Sequence, residues 1–320
     1  MTDNGGGSGG GQWERELVTR LATAALREQR RTRLWGIFFK LLTFAYITLV
    51  LLLAVDWKGR ADVASGGKHT AMVEVSGLIA PGGDASAERV TAALQAAFKD
   101  RNTQGVVVLI NSPGGSPVQA QNIYDEMRRL RQQYPAIPLY AVVEDVCASG
   151  GYYVAVAADR IYVAKASIVG SIGVLMNGFG FTGLMDKLGI ERRLITAGEN
   201  KGMLDPFSPL EQKDLAHARQ LMQDIHQQFI GVVREGRGER LKESPELYSG
   251  LVWTGQKSIE LGLADEIGSL EQVARDVVKA EDIVDFSRKE GVVERLAKRF
   301  GAGVGSALAA WAFNGSAGLR

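Results

Sequence analysis

The chain has 320 residues, of which 46% are hydrophobic and 23% charged, and its formal net charge is +1. This composition excludes a wholly disordered chain and leaves room for one large domain or two small ones. The near-neutral balance, with basic residues dispersed beyond the N-terminus, leaves no electrostatic footprint for nucleic acid, and a single cysteine, Cys147, excludes an intrachain disulfide and any multi-cysteine metal site.

Residues 1–12 are rich in glycine and cannot bury enough surface to order themselves. A basic, helical pattern begins at Trp13, and Arg27, Arg30, Arg31 and Arg33 lead into an apolar run over 34–55. As a helix that run is about 33 Å long, enough to cross the hydrocarbon core of a bilayer, and Lys40 near one end can snorkel. The preceding arginines predict a cytoplasmic N-terminus, so that everything after Trp57 lies across the membrane, on the periplasmic side of a bacterial inner membrane. A cleaved signal peptide fits less well, because a long segment precedes the run and no small-x-small site follows it. The expected organisation is a flexible, basic segment 1–33, a transmembrane anchor 34–55, a linker 56–69, a main domain 70–285 and a tail 286–320.

Within the main domain, strand patterns fall at 70–76, 105–110, 139–143, 160–164, 168–174 and 193–195. Helical patterns fall at 86–99, 118–133, just after Ser149, at 182–188 and at 209–234. A last unit reads helix 254–261, strand 264–267, helix 270–279. Unbroken apolar strands alternating with helices predict an α/β domain built on a mostly parallel sheet. The tail carries an amphipathic piece at 295–300 and an apolar stretch, 301–313, too short for a second span.

Two glycine-bearing loops point to chemistry. Gly150 and Gly151 occupy the first turn of a short helix, where each costs roughly 1 kcal/mol relative to alanine. Close backbone approach is the physical reason to keep them, so Ser149 is a candidate nucleophile beside the Gly150 amide. The second loop, Asn111-Ser-Pro-Gly-Gly-Ser116, ends a strand, where ligand sites of open parallel sheets fall. It lacks the ending of a phosphate-binding P-loop, which leaves an oxyanion-binding amide at Gly114 or Gly115, or a plain Pro-Gly turn.

A serine needs a base. His69, His217 and His226 all lie outside the glycine loops, His217 and His226 read as solvated helix surface, and no Gly-x-Ser-x-Gly elbow surrounds Ser149, so a Ser-His-Asp triad is disfavoured. A lysine serves only if desolvation or like charge lowers its pKa by ~3 units, at a cost of ~4 kcal/mol. Lys201, in a loop with Met203, Leu204 and Phe207, is the best candidate, against the plain reading of an exposed loop lysine.

Asn111-Ser-Pro-Gly-Gly115, Ala148-Ser-Gly-Gly-Tyr-Tyr153, Gly170-Ser-Ile-Gly173, Gly198-Glu-Asn-Lys201 and Gly262-Leu-Ala-Asp265 resemble, in order, the motifs of the signal peptide peptidase A family. The resemblance covers roughly residues 70–279. It implies a ClpP/crotonase-like fold over 70–285, with Ser149 as nucleophile, Lys201 as general base, the Gly114 and Gly150 amides as oxyanion hole, and Ser171 hydrogen-bonded to the lysine. It further implies a homo-oligomeric ring that shares the dyad between protomers and cleaves leftover signal peptides without metal, nucleotide or other cofactor. A crotonase-like acyl-thioester enzyme and a non-catalytic membrane scaffold are the rival readings.

Overall fold

The alternating and apolar runs of the sequence form strands in the computed structural model, which describes residues 20, 29–31, 33–49 and 67–287. Strand β1 (His69–Ser76) buries Ala71, Val73 and Val75, β2 (Thr103–Ser112) is continuously apolar from Val106 to Ile110, and β3 (Leu139–Ala148) is apolar through its first half. Helix α1 (Ala87–Lys99) turns Val90, Leu94 and Phe98 inward. Helix α2 (Pro117–Gln133) begins with a proline, whose missing N–H costs nothing there, and the Ser116 side chain accepts from the Gln119 amide. Helix α3 (Gly150–Ala155) is buried at every position.

The chain continues through β4 (Arg160–Val163), β5 (Ile168–Gly170), α4 (Thr182–Leu188) and the long α5 (Gln212–Arg237). It closes with β6 (Val252–Thr254), α6 (Gly255–Glu260), β7 (Glu266–Ile267), α7 (Leu270–Gln272), a π-helical stretch Val273–Val278 and β8 (Ile283–Asp285). The sheet order is β6-β5-β3-β2-β1-β8, with β4 paired to β3 and β7 to β4. All pairs are parallel except β5 with β6, as the α/β pattern predicts.

Two features of this sheet matter for the site. Strand β3 forks: Tyr140–Val143 pair with β4, whereas Val146–Ala148 pair with β5. Ser149 leaves the sheet from the tip of the second branch. Strand β1, the first of the domain, is flanked by β2 and by the last strand, β8; Thr70 donates its amide to Asp282 O and its hydroxyl to Ala280 O.

Three expectations change. Residues 193–195 form no strand; they lie in an exposed stretch where Ile195 is 95% accessible, with no sheet edge to pair against. The strand over 168–174 stops at Gly170, because Gly170 (φ 117°) and Ser171 (φ 53°) turn the backbone out of the extended region. The strand read at 264–267 is confined to Glu266 and Ile267.

Residues Met1–Lys58 with Glu290–Arg320 form one unit, and Gly59–Lys289 the other. In the first, residues 29–31 and 33–49 are helical, and Leu34, Ile37, Phe38, Leu41, Phe44 and Leu49 are exposed around that helix. Among the described residues no helix is long and apolar enough to cross a membrane. Residues 50–55 of the expected anchor, the linker up to 66, the glycine-rich start and the tail from 288 lie outside the described residues.

Candidate active site

Ser149 sits between β3 and α3 with φ 51° and ψ −120°. A side chain with a Cβ rarely occupies that region, and holding it there costs about 1–3 kcal/mol that the surroundings must supply. The restraints are visible: the Ser149 amide donates to Gly170 O at 2.9 Å, and the Ser149 carbonyl accepts the first helical bond from Tyr153 N at 2.9 Å. The hydroxyl is thereby delivered to a cavity of about 610 Å3 that Ser149, Gly150 and Ser171 line together. Ala120, Tyr153 and Phe229 give the cavity an apolar side, and the Tyr153 and Phe229 rings stand 5.2 Å apart.

The glycine loop after β2 approaches from the other side. A Cβ on Gly114 would lie 2.6 Å from Gly150 N and 2.7 Å from Ser149 Cβ, and one on Gly151 would lie 2.9 Å from Ser112 O. Only glycines allow the two loops to meet this closely, which is the close approach expected from the sequence. Gly114 (φ 101°) donates its amide to Ser112 Oγ at 3.1 Å, and Ser112 Oγ donates to Gly77 O at 2.6 Å. Use of the Gly114 amide on a substrate oxygen therefore requires that bond to be shared or exchanged. The neighbouring Gly115 amide nitrogen is 3.2 Å from where a Gly150 Cβ would sit, so two loop amides flank the helix start.

Ser171 follows Gly170 with its amide donated to Leu251 O at 2.7 Å and its side chain at the cavity wall. Lys201 does not line this cavity. It is exposed on a turn closed by its own amide bond to Gly198 O at 3.1 Å. The turn belongs to an arm over residues 174–211 held by its own contacts: Phe181 stacks on Phe207, the Phe181 amide donates to Pro206 O, and Arg192 pairs with Asp205 at 3.3 Å. Glu199 faces Lys213 at 3.9 Å, and the buried Asp214 of α5 accepts the Leu204 amide at 3.4 Å, tying the arm to the long helix. The chain thus assembles Ser149, Gly114, Gly150 and Ser171 and leaves Lys201 outside the cavity they form.

Of the histidines, His226 departs from its sequence reading. His69 is buried beside Thr103 Oγ1 at 3.3 Å, and His217 is exposed. His226 is not solvated surface; it is half-buried, with Nε2 3.2 Å from Ile172 O. Cys147 is fully buried, and desolvation pushes its thiol far above the usual range.

Residues 131–284 match peptidase family S49, and residues 73–169 match Clp protease. A Methanocaldococcus jannaschii protein provisionally named a protease is 32% identical over 222 residues, covering 66% of this chain and 70% of its own length. The chain belongs to peptidase family S49. The S49 match takes in Ser149, Gly150, Ser171 and Lys201, and the Clp protease match takes in Gly114 and gives the sheet its ClpP-like character. An Enterococcus faecium protein provisionally named a signal peptide peptidase SppA is 27% identical over 226 residues, covering 68% of this chain and 65% of its own. A Brucella abortus protein named a Na(+)/H(+) antiporter NhaA is 42% identical over 209 residues; the match covers 64% of this chain but only 28% of that protein.

Proposed function

We propose that this S49 chain is a membrane-anchored serine endopeptidase that hydrolyses remnant signal peptides and other membrane-near polypeptides, with Ser149 as nucleophile and Lys201 as general base. The observation that carries the reading is Ser149 itself, held in a strained conformation at the mouth of a cavity with glycine amides packed against it. In the reaction, Lys201 Nζ takes the Ser149 proton as Oγ attacks the scissile carbonyl. The Gly150 and Gly114 amides donate to the oxyanion, and the collapsing intermediate expels the amine, which leaves with the proton from Lys201. Water then gives a proton to Lys201 as it attacks the acyl-enzyme, and that proton returns to Ser149 Oγ as the acid departs.

Because Lys201 stands outside the Ser149 cavity of its own protomer, the base is proposed to come from a neighbour in a homo-oligomeric ring. The arm that bears it exposes Leu175, Phe179, Leu188 and Ile195, a surface that association with a second copy would cover. The membrane assignment rests on the apolar run at 34–55 and its leading arginines, and it sets the catalytic domain on the periplasmic face of a bacterial inner membrane.

A fluorophosphonate probe and a fluorogenic peptide test the chemistry. The wild-type protein is expected to label and to turn over. Ser149→Ala should do neither, and Lys201→Arg should fail although it keeps the charge, because arginine stays protonated. Undiminished hydrolysis by folded Ser149→Ala would overturn the reading.

A further inference from the structure

His226 lies on α5 between Ile225 and the cavity-lining pair Gln228 and Phe229, yet its ring turns to the backbone that follows Ser171. A carbonyl oxygen only accepts, so the 3.2 Å contact with Ile172 O puts the proton on Nε2. We propose that His226 is a positioning residue for the reaction at Ser149, acting through the segment Gly170–Ile172. The proposal rests on the reading of Ser149 and Ser171 as site groups.

The segment is bonded at both ends to something that matters. At one end, Gly170 O receives the amide of Ser149. In the middle, Ser171 holds φ 53°, a left-handed conformation that a non-glycine residue keeps only when its neighbours over-determine it. At the other end, Ile172 is fully buried and its carbonyl accepts the hydrogen bond from His226 Nε2. The Ser171 amide on Leu251 O holds the peptide before Ser171 and the His226 bond holds the peptide after Ile172, so the backbone is restrained on both sides of Ser171. Loss of that bond frees the peptide after Ile172 and relaxes Ser171 at the cavity wall, while the core beneath stays packed.

Two near-isosteric variants separate the hydrogen bond from bulk: His226→Gln keeps an N–H at similar reach, and His226→Met keeps volume without a donor. Each is measured for kcat and KM on a fluorogenic peptide, for the rate of fluorophosphonate labelling and for melting temperature, alone and combined with Ser171→Ala. His226→Met is expected to lower kcat about five- to tenfold, the worth of one hydrogen bond, with KM changed less than twofold and labelling slowed in parallel. His226→Gln should recover most of the loss, and His226→Met with Ser171→Ala should lose less than the product of the two single losses. Equal losses for Gln and Met, multiplicative losses in the double variant, or a wild-type kcat for Met would overturn the proposal. Hydrolysis that survives Ser149→Ala would instead overturn the underlying reading, so the two failures are told apart.

Discussion

Cys147 is packed under the strand end that carries Ser149 into its cavity, and burial raises its thiol so far that the reactive thiolate is scarce. Cys147→Ala is therefore expected to keep at least about half of the activity, a loss in packing rather than chemistry. Iodoacetamide should leave the native protein unmodified and label it once unfolded. A folded but inactive Cys147→Ala protein would return the thiol to the mechanism. Gly114→Ala tests the meeting of the two glycine loops: its methyl would collide with Gly150 N and Ser149 Cβ at a φ that disfavours any side chain. We expect hydrolysis to fall roughly a hundredfold or more, as for loss of an oxyanion donor, with stability down by about 1–3 kcal/mol from overpacking. At this scale the close approach of the glycine loops was legible, because helix propensity argues against paired glycines at Gly150 and Gly151. His226 was not legible. Its partner is a main-chain carbonyl 54 residues away, and no side-chain pattern encodes a carbonyl.

Helix α5 joins the parts of the site. Its first turn holds the arm through Asp214, its middle lines the cavity through Phe229, and its last turn is pinned by Arg237. Arg237 is 1% exposed and makes two 2.8 Å bonds to the Asp265 carboxylate, with a third from Nε to Gly262 O. Burial alone would push the Asp265 carboxyl up, but the hydrogen bonds and charge of Arg237, helped by the Ile161 amide and Arg240, hold it below the usual carboxylate range. A depressed carboxyl stabilises the fold above its unfolded pKa, near 3.9, and that contribution is lost as pH falls through the lower folded value. Asp265→Asn should leave a buried guanidinium without its counter-charge and cost about 3–5 kcal/mol. Urea melts at pH 7 and at pH 3 check both points: the variant's deficit should shrink at the lower pH, and a deficit independent of pH would show that the charge is not the source. The regular elements around this helix were legible from their hydrophobic period, as at 118–133, where the structure begins the helix one residue earlier, at Pro117. The strand expected at 193–195 was read from β-branched and apolar residues alone, and those residues stand exposed on the arm with no neighbouring strand.

For the whole molecule, the separation of Lys201 from Ser149 gives an assembly test. Mixing inactive Ser149→Ala and Lys201→Ala proteins, with dissociation and reassociation verified by native mass spectrometry, should restore part of the wild-type rate, about a quarter for a dyad shared at each interface of randomly mixed rings. Mixed rings that form without regaining hydrolysis would place both groups in one protomer. The mostly parallel α/β sheet was legible from strand and helix alternation and its ClpP-like character from the ordered motifs, whereas the separation of Lys201 from the Ser149 cavity was not, since loop geometry has no periodic signature. The pairing of β1 with β8 carries a consequence for biosynthesis. The Thr70 hydroxyl is bound by a carbonyl 210 residues later, so the earliest strand to be made stays open along one edge until almost the entire domain has been translated. Closing so long a loop is entropically slow, and an open strand edge invites pairing with other chains. A chain truncated before Ile283 is therefore expected to leave the β8 side of β1 unpaired.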